Sequence, residues 1–71
     1  MELKEISVHS SNEVESILTT LRGMQFRREL KLISGSLDLH GVVDAEFKVK
    51  NSSDRWRVYC VDRQGGYLKR I

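Results

Sequence analysis

Proline is absent from the 71-residue chain, so neither helices nor strands can be stopped by it, and glycine with Asn, Ser and Asp clusters must do the punctuation. Cysteine is almost absent. The lone Cys60 excludes an intrachain disulfide and any cysteine-paired zinc motif. Histidine is limited to His9 and His40, and these two with Cys60 lie far apart along the chain, short of the ligand number and spacing that zinc requires. We therefore expect no metal and no cofactor. No apolar run approaches the roughly 18 residues that span a bilayer, which excludes membrane insertion by a helix. The segment Met1-Glu2-Leu3-Lys4-Glu5 lacks the apolar core of a secretory signal, and with the absence of disulfides this predicts a cytoplasmic protein.

What is present fits a small folded unit. The hydrophobic fraction of 39% is ordinary for a globular chain. At this length a single core is expected, so residues 1–71 read as one domain of marginal stability, for which dimerisation would be a natural support. The net charge of +2 is unevenly spread: −2 over residues 1–24, +1 over 25–50 and +3 over 51–71. The basic C-terminal third points to an anionic or acidic partner.

Val14, Ile17, Leu18 and Leu21 recur at i, i+3, i+4 and i+7, which predicts a helix over about residues 12–22. Ser10-x-x-Glu13 and Asn12-x-x-Glu15 both have capping-box spacing at its start, and Gly23 is placed to end it with a left-handed residue. From Gln25 the period changes to two: Phe26, Leu30 and Leu32 alternate with Arg27, Glu29 and Lys31, a half-buried strand in which Arg28 marks a rim. Ser34-Gly35-Ser36 reads as a turn. Leu37 to Val49 then keeps one parity over thirteen residues, long enough to require a bend or a hairpin corner at His40-Gly41. Asn51-Ser52-Ser53-Asp54 is a second turn, Arg55 to Asp62 a strand with apolar residues on both faces, and Gln64-Gly65-Gly66 a third turn leading into Tyr67 to Ile71. Leu3, Ile6 and Val8 hint at an N-terminal strand. The expected fold is α+β: one N-terminal helix packed on a curved, mainly antiparallel sheet of four to five strands in the order β-α-β-β-β-β, with a small barrel carrying an appended helix as the alternative.

No catalytic constellation emerges. Cys60 shares parity with Trp56 and Val58 and reads as a core residue, with no base fixed beside it. Asp44 and Glu46 project from one strand face and, with Lys48 and Lys50 beside them, read as cross-strand charge partners for Arg55, Arg57 or Lys31. Gly65-Gly66 feeds an extended segment, unlike a phosphate loop, which feeds a helix. The chain is thus expected to be a binder and no enzyme. The segment with functional weight is the C-terminal hairpin, where Arg55, Arg57, Tyr59, Arg63, Tyr67, Lys69 and Arg70 mix cations with planar rings. Tyr and Arg are enriched at protein interfaces, and an exposed edge at Tyr67 to Ile71 would pair with a strand of a partner or of a second copy. That makes the first expectation a non-catalytic accessory or regulatory protein, in the size class of phage and mobile-element products, that binds a larger protein and could form a homodimer through a sheet edge. The alternative is single-stranded nucleic-acid or RNA binding by the same hairpin, since cations attract phosphate and rings stack on unpaired bases.

Overall fold

The computed structural model describes residues 3–61 and 64–71, the side chains of Leu39 and His40 excepted. Six elements follow in chain order: β1 (Ile6–Val8), α1 (Ser11–Phe26), β2 (Leu30–His40), β3 (Val42–Val49), β4 (Arg55–Val61) and β5 (Gly65–Arg70). The strands form one antiparallel sheet in the order β1-β5-β4-β3-β2. Its two outer strands are not joined, so the barrel alternative is overturned in favour of one helix packed on an open five-stranded sheet.

The helix begins as its capping residues dictate. Ser10 is extended, its Oγ accepts the Glu13 N–H at 3.3 Å, and the same hydroxyl lies 3.4 Å from Glu13 Oε1. The Ser10 box is used and Asn12 lies inside the helix. The far end differs from the sequence reading, because the helix runs through Gly23 to Phe26. Met24 supplies the reason. Its side chain is buried in the core, and keeping it there extends the helix by another turn despite the propensity penalty of Gly23. Termination falls to Arg28, whose φ of 62° occupies the left-handed position that glycine usually fills. The Arg28 N–H then donates to the Gln25 carbonyl at 3.0 Å and the Glu29 N–H to the Met24 carbonyl at 2.8 Å, the paired bonds of a Schellman end. Phe26, expected on the inner row of a strand, therefore ends the helix with its ring in solvent, and Arg28 is a cap instead of a strand rim.

A second correction concerns Ser34-Gly35-Ser36. These residues are not a turn: they lie inside β2, with Ser34 opposite Glu46, Gly35 opposite Ala45 and Ser36 opposite Asp44. The register slips at Ile33, which is exposed as an extra residue of a bulge. Gly35 has φ +81°, and a Cβ built on it would run into the Asp44 carbonyl oxygen, so glycine here serves close strand approach. The hairpin corner falls at Gly41, φ +98°, so of the two outcomes anticipated for the thirteen-residue run, a bend or a hairpin corner at His40-Gly41, the corner is found. Likewise Gly65 and Gly66 belong to β5, paired with Val61 and Cys60, and the turn precedes them.

One face of the sheet carries the core. Leu30, Leu37, Val43, Ala45, Phe47, Trp56, Val58, Cys60 and Leu68 meet Val14, Ile17, Leu18, Leu21 and Met24 from the helix, with Val8 from β1. Fully burying a side chain such as Phe47 stabilises by roughly 1.5–3 kcal/mol, which explains why strand parity is kept so strictly through β3 and β4. The helix packs chiefly on β2 and β5. Its Arg22 Nε donates to the Leu37 carbonyl at 3.1 Å, tying the helix to the outer strand β2.

Candidate nucleic-acid interface

Because the helix covers the Trp56 side, alternate residues of every strand are left on an uncovered face. The register sets them in rows across the sheet. The first row is Lys31, Lys48 and Arg55, the second Ser34, Glu46, Arg57 and Lys69, and the third Ser36, Asp44, Tyr59, Tyr67 and Ser7. The strand ladder thus brings Arg55, Arg57, Tyr59, Tyr67 and Lys69 of the expected site together on β4 and β5, the central strand and its neighbour.

One expected member is not among them. Arg70 pairs with Trp56 on the helix side of the sheet, its guanidinium carbon 5.6 Å from the indole centroid and its Nη1 3.2 Å from Asp54. The rule of alternation explains the difference: Arg70 is one residue out of step with Lys69. Arg63 lies outside the described residues. The expected free edge at Tyr67 to Ile71 is occupied in part, since β1 pairs with Tyr67 and Leu68 on the side of β5 away from β4. Beyond the end of β1, the Arg70 N–H is taken up by Glu5 Oε2 at 3.2 Å and the Ile71 N–H by the Arg55 carbonyl at 2.8 Å.

Tyr59 and Tyr67 stand directly opposite each other, both half-buried, with ring centroids 5.8 Å apart and planes inclined by 31°. The Lys69 Nζ lies 5.1 Å from the Tyr67 centroid, a cation–π contact that holds the ammonium beside the ring. Arg57 is held in a two-pronged contact with Asp44, Nε to Oδ1 at 3.0 Å and Nη2 to Oδ2 at 2.8 Å. This hydrogen bonding lowers the Asp44 carboxyl from its ordinary value against the opposing effect of burial, with a lesser contribution from the attraction of the guanidinium charge. The expectation that Asp44 serves as a charge partner is met by Arg57. Lys48 does otherwise. It faces Lys31 on one side and Arg55 on the other.

Cys60 is fully buried, and burial pushes its thiol up against a smaller pull from a backbone hydrogen bond at Tyr67, an environment opposite to that of a reactive thiolate. His9 is exposed at the helix entry. On the covered side, a groove of about 450 Å³ between β1 and α1 is lined mostly by Leu3, Ile6, Val8, Ile17, Leu21 and Leu68. Its polar lining is Lys4, Ser7, Glu13, Ser16 and Thr20, of which the Thr20 hydroxyl is already committed to the Ser16 carbonyl at 3.0 Å.

The sequence reading places Lys31 and Lys48 on solvent-facing parities but does not count them among the binding residues. A signal existed in the shared parity of Lys48 with Asp44 and Glu46, but the pairing of Lys31 with Lys48 required the register, which the bulge at Ile33 shifts. Comparison with known proteins returns no match, whether to a family model, to a curated protein or to a solved structure.

Proposed function

We propose that the chain binds single-stranded nucleic acid on the uncovered face of its sheet, with unpaired bases lying on Tyr59 and Tyr67 and the backbone attracted by the surrounding cations. The observation that carries this reading is the cross-strand tyrosine pair, 5.8 Å between centroids, on an open face that also bears Arg57 and Lys69. Every base has a π-face, so a pair of rings accepts a strand without demanding a sequence, and stacking of this kind contributes about 1–3 kcal/mol per base. Duplex is disfavoured because its stacked bases offer the tyrosine rings no free face.

A protein partner that adds a strand beside Tyr67 to Ile71 has less room, since β1 already pairs with Tyr67 and Leu68 and leaves only Lys69 to Ile71 beyond its end. A partner resting on the face itself is the competing outcome of the test. Binding of a labelled oligouridylate is measured by fluorescence anisotropy across a salt series. A steep loss of affinity with salt is expected. Tyr59→Leu, which keeps apolar bulk but removes the ring, should weaken binding by roughly 5- to 150-fold with the salt slope unchanged, as loss of stacking requires. Absence of binding at low salt refutes the reading and turns attention to a protein on the same face.

A further inference from the structure

The first row of the uncovered face is unusual in its chemistry. Lys31 is directly opposite Lys48, and Lys48 directly opposite Arg55, so three cations stand side by side across β2, β3 and β4. Like charges directly opposite one another in a sheet oppose folding, whereas opposite charges at such positions favour it. The neighbouring carboxylates do not relieve the repulsion. Asp44 is taken by Arg57, Asp54 by Arg70 and Glu29 by Arg27, and among the described residues none of the three cations forms an ion pair. Glu46 lies one row along, beside Lys48 on β3, and faces Arg57 across the ladder. A shallow depression of about 300 Å³ at this end of the β2–β3 hairpin adds Arg28 and Lys50 to Lys31 and Lys48, with Glu29 as its one carboxylate. The sheet therefore concentrates unneutralised positive charge at one corner of the open face.

We infer that Lys31, Lys48 and Arg55 form a phosphate-binding subsite that receives the backbone of the strand whose bases rest on Tyr59 and Tyr67. The inference rests on the nucleic-acid reading for the identity of its ligand, while the anion site itself rests on the cation row. The strand then runs diagonally over the sheet, from Tyr67 on β5 to Lys31 on β2. Three strand spacings of about 4.8 Å and four residues at about 3.4 Å each make this roughly 20 Å corner to corner. That path matches a footprint of about four nucleotides, the lower end for small single-strand binders. Each lysine acts here as a point charge on a flexible stem, and Arg55 adds a planar fork suited to a phosphate oxygen pair.

Two measurements on the whole chain test this, using the wild type, Lys48→Gln and the control Lys4→Gln, whose lysine lies on the groove between β1 and α1 and not on the open face. In the first, thermal melts are recorded with and without inorganic tripolyphosphate at matched ionic strength. The wild type and Lys4→Gln should be stabilised, and Lys48→Gln should lose about half or more of that shift, as expected when a ligand selects the folded state through the row. In its absence Lys48→Gln should melt above the wild type, because one repulsion is relieved. Equal tripolyphosphate shifts in Lys48→Gln and Lys4→Gln overturn the subsite. In the second, the salt slope of oligouridylate binding should fall by about 0.7 in Lys48→Gln, the value for one phosphate contact on a single strand. If tripolyphosphate stabilises through the row but Lys48→Gln binds oligouridylate with an unchanged slope, the backbone assignment is overturned and the row is a site for free polyphosphate. Failure of the wild type to bind oligouridylate at all defeats the nucleic-acid reading itself, and a row-dependent tripolyphosphate shift then identifies the free-anion site.

Discussion

Replacing Gly23 by alanine should stabilise the protein, although its place near the end of an amphipathic pattern marks it as a helix stop. Gly23 is inside α1, three residues before the last helical position, and its φ is not in the left-handed region. Alanine in a helix interior is favoured over glycine by about 0.8–1.0 kcal/mol, partly because the unfolded chain loses freedom. Against this stands one tight neighbour. An added Cβ would lie 3.2 Å from Arg27 Nη1, the end of a flexible and exposed side chain whose ion pair with Glu29 is itself worth little. The net gain expected is therefore about 0.5–1 kcal/mol, which in a domain of this size raises the melting temperature by roughly 2–8 °C. Urea unfolding followed by circular dichroism should show a higher midpoint with an unchanged slope. A companion substitution, Arg28→Gly, should also stabilise, since Arg28 holds φ 62° at a cost that glycine avoids. If Gly23→Ala lowers the midpoint instead, the helix does end at Gly23 and the account of Met24 and Arg28 fails.

Three further outcomes follow from packing and charge. Gly35→Ala should destabilise by roughly 2–4 kcal/mol, because it joins a positive φ to a collision with the Asp44 backbone, and chemical denaturation that finds less than 1 kcal/mol would contradict the strand register. The carboxyl of Asp44 titrates lower in the folded than in the unfolded state, so its contribution is complete above the unfolded value near pH 4 and is lost as pH falls through the folded one. Glu29, lowered by its hydrogen bond to Arg27, follows the same sign. Asp44→Asn should accordingly flatten the loss of stability below about pH 4, and melts from pH 6 to pH 2 that run parallel to the wild type would exclude the ion pair as a contributor. Cys60, fully buried with its thiol pushed up, should react with a thiol reagent only as fast as the protein opens, so labelling at the rate of a free thiol in native buffer would contradict its placement.

The helix and the inner faces of β3 and β4 were legible because burial imposes periods that survive in the residues: Val14, Ile17, Leu18 and Leu21 at helical spacing, and Val43, Ala45 and Phe47 with Trp56, Val58 and Cys60 at spacing two. The ends of elements were less so. Gly23 and Gly35 look alike in sequence as punctuation, but one is overruled by the burial of Met24 and the other serves a close approach between β2 and β3. Such decisions depend on tertiary contacts that a local pattern does not contain. Composition and parity bring Arg55, Arg57, Tyr59, Tyr67 and Lys69 to one face, as the register has them, and Arg70 falls outside by one step of alternation. The position of β5 inside the sheet was hidden because it follows from where the three-residue β1 attaches, a pairing between distant parts of the chain.

The contact from Arg22 to the Leu37 carbonyl bears on the protein's behaviour when it is stressed. The outer strand β2 is the longest of the sheet, eleven residues, and an uncovered strand of that length is a template for chain-to-chain growth. The bulge at Ile33 twists part of it out of line, and the helix reaches over to occupy a carbonyl farther along. Arg22 thereby withdraws one backbone acceptor of β2 from pairing with another chain, while the rest of α1 covers the core.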